Sequence, residues 1–472
     1  MMLQSRRQDD SVIARSSRYG LLPIQGCHIE DAGVNVTLGA GITRRQCVRL
    51  LGTLALPLLA PAQALTQGRQ WRITGYDIPE LKSFDQTVEE YMRARSIRSG
   101  ALAVTRNGRL VLAHGYSWDN RADASVQPTS LFRIASLTKP LTATVILRHI
   151  QDGSLDLATP ITSLLTLTPP SGRQRDPRFD QITVLHLLQH LGGWDRDRTF
   201  DPMFYDATIS RALNVALPID VNQIVTYMAG QSVAYPPGTA YYYSNFGYAL
   251  LGRIIERVSG LTYEAAVRGT LLQPLRLDRS RLGRTLAELK AEGEVTYESI
   301  YTATTVMNAS GSRVPAQYGG FNLENMDAHG AWLASAVDLA RFAASFDDPA
   351  SSPVLSPSSI ERMFAAPATG LQSGGWYYGC GWQVRPFSGG RRTTWHTGSL
   401  TGTTSLLVRR WDGLDWVVLF NQRDDPGDPA SSHYLAIDGS LHTAADAVQR
   451  WPTHDLFEEY LPPVAAPAEA VT

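Results

Sequence analysis

The sequence predicts an α+β fold: an antiparallel sheet built from the N- and C-terminal segments together, flanked by helices, with a mostly helical segment inserted between them. Three observations predict it. Strand patterns occupy 101–114 and return at 381–420. Helical spacing dominates the stretch between. Asn107-Gly108, a favoured two-residue hairpin turn, joins the first two strands into an antiparallel pair.

Taken in chain order, residues 83–98 place Phe84, Val88, Tyr91 and Met92 on one helical face. Residues 101–106 and 109–114 are the two hairpin strands. Leu137 to about Asp152 is a helix rich in Leu, Ile, Thr and Ala, with Gly153 in the stop position. Pro and Gly punctuate 153–180. Further helices are expected at about 182–190, 220–229, 245–259, 335–346 and 357–365. Residues 295–330, rich in Thr, Asn, Ser and Gly, read as a long loop. Strands follow at 381–384, 393–396, 403–408 and 416–420, then a helix around 438–449 and a Pro/Ala-rich tail. The expected organisation is one domain over 83–450, with 83–150 and 370–450 as its α/β part, 151–369 as the helical insertion and 451–472 as a tail.

The 472 residues are 43% apolar and 18% charged, with a formal net charge of −1. That composition supports a sizeable core and excludes a disordered or collagen-like chain. The charge balance leaves no basic footprint for nucleic acid. Only three of the 43 basic residues are lysines: Lys82, Lys139 and Lys290. A retained Lys in such a chain merits inspection, because Lys can lose its proton in a desolvated site and Arg cannot.

Residues 1–64 read as an N-terminal extension followed by a twin-arginine-type secretory signal. Arg44-Arg45 precedes the apolar run Leu50 to Leu59, and Ala62-Gln63-Ala64 supplies a small-residue cleavage pattern. The run is too short and interrupted for a membrane span. Cleavage after Ala64 removes Cys27 and Cys47 and leaves Cys380, read as a buried inert thiol. The expected location is therefore exported, periplasmic or extracellular, in a bacterium.

Three segments carry side chains suited to acyl-transfer chemistry. In Arg133-Ile134-Ala135-Ser136-Leu137-Thr138-Lys139, Ser136 and Lys139 are three apart at a helix start, hence on one face. A neutral amine there can take the hydroxyl proton, and the Ser136 amide at the helix N-terminus can face an oxyanion. The same pattern is also that of a capped helix with a surface Lys. In Tyr241-Tyr242-Tyr243-Ser244-Asn245, Tyr243 can relay a proton and Asn245 can orient an amide at a turn-to-helix corner. In Trp395-His396-Thr397-Gly398-Ser399, Gly398 permits close backbone approach and the Ser399 amide can be a second oxyanion donor. His186 and His190 have the i, i+4 spacing of zinc helices, but Leu187 stands where the Glu of that motif belongs and no third ligand is evident, so no metal is expected.

Together the three segments resemble the signature set of the penicillin-recognising serine hydrolases: Ser-x-x-Lys, Tyr-x-Asn and a Lys/His-Thr-Gly strand, in that order. The nearest branch is that of class C β-lactamases and D-alanyl-D-alanine carboxypeptidases, with esterases and D-aminopeptidases; the resemblance covers about residues 83–450. It implies a serine β-lactamase/transpeptidase-like fold. It also implies Ser136 as acylated nucleophile, Lys139 as its base partner and Tyr243 as proton relay. Asn245 would orient the substrate, His396 complete the polar network and Thr397 meet a substrate carboxylate. The oxyanion hole would be the amides of Ser136 and Ser399. No cofactor is implied, and the partner is a small-molecule or short-peptide substrate. β-Lactamases of this branch usually carry Lys where this chain has His396, which favours ester or D-Ala-type amide substrates. A β-lactamase, or a β-lactam sensor that acylates without turnover, is the alternative. Trp332 stands where relatives often have Gly, and its ring is expected to narrow the cleft.

Overall fold

The computed structural model describes residues 69–119, 125–424 and 433–460, all within one unit, Thr66–Thr472. In chain order the strands are β1 (Gln70–Thr74), β2 (Ser99–Arg106), β3 (Arg109–Asp119), β4 (Phe132–Arg133), β5 (Arg281–Leu282), β6 (Thr302–Thr304), β7 (Arg313–Pro315), β8 (Trp332–Ala334), β9 (Tyr377–Tyr378), β10 (Gln383–Pro386), β11 (Arg392–Leu400), β12 (Thr403–Arg409) and β13 (Leu414–Phe420). The main sheet is antiparallel, in the order β1-β3-β2-β13-β12-β11-β10-β9. Its two halves join where β2 meets β13, with Gly100 opposite Phe420 and Leu102 opposite Val418.

The period-2 alternation of the strands sorts their side chains onto two cores. Leu102, Val104, Trp416 and Val418 face α1 (Lys82–Ala94) and the His433–Asp446 helix. Ala101, Ala103, Val417 and Leu419 face α2 (Thr138–Gln151), the Ala336–Ala344 helix and the remaining helices. Phe84, Val88 and Met92 are fully buried on the inner face of α1, each stabilising by ~1.5–3 kcal/mol. From Thr138 to Leu147 every α2 side chain is buried, which makes it the central helix rather than an amphipathic surface one. It stops at Gly153, whose φ of +75° suits glycine.

Several expectations are corrected. Strand β1, which the pattern did not reveal, pairs along the far half of β3. The stretch 295–330 is not structureless: it holds the β6–β7 hairpin and a tight helical turn at Leu323–Met326. Helices at Asp206–Leu213 and Tyr263–Val267 went unread. The start of the stretch read as a tail lies against β3, where Leu456 N–H donates to Leu110 O (2.9 Å) and Leu110 N–H to Asp455 Oδ1 (3.1 Å). The extension, secretory signal, Cys27, Cys47 and the Pro/Ala-rich end lie outside the described residues. Among the described residues no helix is long and apolar enough to cross a membrane. Cys380 is buried, and burial pushes its thiol up to about 12.

Candidate active site

The turn that carries Ser136 is set by the strands beneath it. Residues 132–133 pair with β8, and β12 reaches up with two hydroxyls: Thr403 Oγ1 donates to Arg133 O (2.8 Å) and Ser405 Oγ to Ile134 O (2.7 Å). The fully buried Arg133 guanidinium donates to Gln317 O (2.6 Å) and Arg284 O (2.7 Å), tying the turn to the loops around it. Ala135 then adopts φ +47°, an unusual value for a residue with a Cβ, just ahead of Ser136. β11 crosses directly behind. A Cβ on Gly398 would lie 2.4 Å from Ile134 O and 2.1 Å from Ser405 Oγ. The close approach expected of Gly398 is thus made to the Ser136 turn itself.

Lys139, one α-helical turn on, is fully buried. Its Nζ lies 3.0 Å from Ser136 Oγ, 2.8 Å from Asn245 Oδ1 and 2.9 Å from His329 O. Burial, and next the Arg196 guanidinium, hold its pKa well below the ordinary lysine range, while the Asp201 carboxylate acts in the opposite direction. A neutral amine has two N–H bonds and one lone pair. Asn245 Oδ1 and the His329 carbonyl can only accept, so they take both hydrogens. The lone pair is left for the Ser136 O–H. The arrangement can therefore remove a proton from Ser136.

Asn245 is the first residue of the Asn245–Ser259 helix, capped by Ser244 Oγ, which accepts from Gly247 N–H at 3.1 Å. Tyr243 precedes that cap. Lys139 Nζ and the Arg196 guanidinium carbon each lie 4.7 Å from its ring centroid, and the His190 ring lies 4.3 Å away.

His396 is buried, with both ring nitrogens engaged. Nδ1–H donates to Thr397 O (2.7 Å), and Nε2 accepts from Tyr378 O–H (2.8 Å). Burial pushes its pKa down to about 3. It is thus a neutral imidazole, 6.3 Å from the Tyr243 ring between centroids. Thr397 and Ser399 are half-buried, and register puts Thr397 opposite Leu406, on the other face of the sheet from His396 and Gly398. β10 pairs with β11 only up to Trp395, so on that side the edge of 396–400 is unpaired among the described residues.

Trp332 corrects the reading of a narrowed cleft. Its ring is fully buried, and Nε1–H donates to Tyr263 Oη at 3.1 Å within the core. The two histidines at zinc spacing diverge. His186 completes a capping box with Thr183, whereas His190 turns under Tyr243 and accepts Ser244 N–H at 3.1 Å. Among the described residues no group of three metal-ligating side chains converges. Sequence reasoning missed His190, Arg196, Asp201, His329 and Tyr378. His190 came nearest to notice, through that spacing.

A family model described as Beta-lactamase matches residues 84–440. Among curated relatives, the esterase EstB of Burkholderia gladioli is 30% identical over 197 residues, 40% of this chain and 48% of EstB. Protein flp of Staphylococcus aureus (strain N315) is 26% identical over 207 residues, 43% of this chain and 39% of flp. The chain thus spans less than half the length of these relatives. Among solved structures, the D-amino acid amidase from Ochrobactrum anthropi SV3 complexed with D-phenylalanine aligns with a TM-score of 0.59 and 22% identity, over 79% of this chain and 99% of that one. The octameric penicillin-binding protein homologue from Pyrococcus abyssi aligns with a TM-score of 0.57 and 24% identity, over 78% of each chain. At such identities the likeness establishes the fold.

Proposed function

This chain belongs to the beta-lactamase family, and from that premise we propose that it is a serine acyl-hydrolase working through a covalent acyl-enzyme on ester or D-Ala-type amide substrates. The observation that carries the reading is the Lys139 amine, buried and held 3.0 Å from Ser136 Oγ with its other two partners both obligate acceptors. In the reaction, Ser136 Oγ attacks the substrate carbonyl carbon and its proton passes to Lys139 Nζ. The amides of Ser136 and Ser399 receive the oxyanion. Collapse expels the alcohol or amine, protonated through Lys139 and Tyr243. Water then gives a proton to Lys139 Nζ as it attacks the ester carbonyl on Ser136; the C–Oγ bond breaks, that proton returns to Ser136 Oγ, and the acid leaves. Asn245 orients the substrate amide, and the open edge of β11 receives its backbone. His396, neutral, supports that edge, whereas Thr397, opposite Leu406 on the other face of the sheet, is not placed to meet a substrate carboxylate with its side chain. His396 in place of the Lys usual in β-lactamases of this branch supports esters and amides over β-lactams. The names of two relatives, an esterase and a D-amino acid amidase, point the same way. The signal read in residues 41–64 supports export to the periplasm or beyond.

The test is intact-mass spectrometry with a fluorophosphonate probe, a short-chain p-nitrophenyl ester and a penicillin. The wild type is expected to label once with the probe and to turn over the ester. Ser136→Ala is expected to do neither, and undiminished labelling of that variant would overturn the assignment. A persistent penicillin adduct without ester turnover would favour a β-lactam sensor instead.

A further inference from the structure

We infer that Asp201 is a positioning residue: its carboxylate locks the Asn245 carboxamide in the one orientation that turns the Lys139 lone pair onto Ser136, with the Arg196 guanidinium as its counterweight. The inference rests on the acyl-enzyme reading and adds a role that neither Ser136, Lys139 nor Tyr243 performs.

Asp201 sits at the end of the loop after Trp194, with its side chain 15% exposed. Its Oδ1 accepts Met203 N–H (3.2 Å) and its Oδ2 accepts Asn245 Nδ2–H (2.6 Å). Arg196 Nη1 lies 3.8 Å from that same Oδ2. An ionised carboxylate can only accept, so the Asn245 amino group must face Asp201 and its oxygen must face Lys139. The flipped carboxamide would oppose acceptor to acceptor at Asp201. It would also set a donor against Lys139 Nζ, and the amine would have to turn its lone pair away from Ser136.

The charges bear on Lys139 in opposite senses: Arg196 disfavours its ammonium form and Asp201 favours it. The other groups facing the amine are the Tyr243 and Tyr248 rings, 4.7 and 5.7 Å away. His190, His329 and His396 are all buried, and burial lowers the pKa of each. Burial also raises the pKa of Asp201, opposed by Arg196, Asn245 and Met203 N–H.

The experiment is a pH profile of kcat/KM for a p-nitrophenyl ester in the wild type, Asp201→Asn, Asp201→Ala, Arg196→Gln and Ser136→Ala. Because the base must be neutral, activity rises with pH through the Lys139 titration. Asp201→Asn removes the charge that favours the ammonium form, so the acidic limb moves to lower pH. Arg196→Gln removes the charge that opposes it, so the limb moves to higher pH. Asn at 201 can still accept from Asn245 through its own carbonyl, so its plateau should exceed that of Asp201→Ala by about tenfold or more, a loss typical of misplaced reacting groups. Limbs that stay put or move together would overturn the inference, as would equal plateaus for the two Asp201 variants. If Asp201→Ala fails to fold, the two limb shifts decide alone. Ester turnover by Ser136→Ala would instead sink the acyl-enzyme reading, so the two failures are distinguishable.

Discussion

Replacing Lys139 by Arg separates a removable proton from a mere positive charge. Arginine stays charged in proteins, so at pH 8 it offers no lone pair to Ser136. Removing a general base typically costs ~10²–10⁴ in rate, about 2.7–5.4 kcal/mol of transition-state stabilisation. The guanidinium would also have to fit where Lys139 is fully buried against Asn245 Oδ1 and His329 O. Lys139→Met supplies the comparison: it lacks the base and strands those two acceptors at ~1–3 kcal/mol each. The second-order acylation rate with a chromogenic ester is the assay, with urea denaturation as the check on folding. Both variants should fall by a hundredfold or more, and to within about tenfold of each other. An Arg variant within tenfold of the wild type would refute the lone-pair argument, because only a fixed charge would then be needed.

Two further outcomes follow from the same geometry. Gly398→Ala would put a Cβ 2.1 Å from Ser405 Oγ and 2.4 Å from Ile134 O. The Ser136 turn must give way, at ~1–3 kcal/mol of stability and with slower acylation; wild-type acylation by this variant would contradict the contact. His396 is neutral when folded, with a pKa of about 3, whereas in the unfolded chain it gains a proton below ~6.5. Its contribution is therefore complete above pH 6.5 and drains away as the pH falls toward 3. The stability difference between the wild type and His396→Gln should shrink by ~1.4 kcal/mol per pH unit between pH 6 and 4. A constant difference over that range, measured by urea titration, would show that the imidazole is not held neutral.

Legibility in the sequence tracked how local each signal was. The hairpin at Asn107-Gly108, α2 and the helix capped by Ser244 rest on short-range pattern, and each forms where it was expected. Strand β1 was invisible because Gln70–Thr74 is a short strand with no fully buried residue, so no alternation marks it. Its identity comes from the partner it finds on β3. The site divides the same way. Ser136, Lys139, Tyr243, Asn245 and His396 announce themselves by residue type and spacing. His329 acts through a carbonyl that any residue would supply. Asp201 and Arg196 sit in a loop, and only the fold brings them to Asn245 and Tyr243. Trp332 was misjudged because sequence position indicates where a residue sits but not which way its ring turns.

The junction of β2 with β13 also governs how the chain can be made. A ribosome delivers β2 and β3 early, while the partner for the free edge of β2 is among the last strands to emerge. Until Leu414–Phe420 arrives, the nascent protein carries a bare, apolar strand edge open to any other chain. Loop closure over so long a separation is slow, so assembly is expected to lag behind synthesis. A product cut short before Leu414 would keep Ser136, Lys139, Tyr243 and Asn245 in its covalent structure. It would lack the strand that joins the two halves of the sheet, and would be a substrate for chaperones and proteases rather than a smaller enzyme.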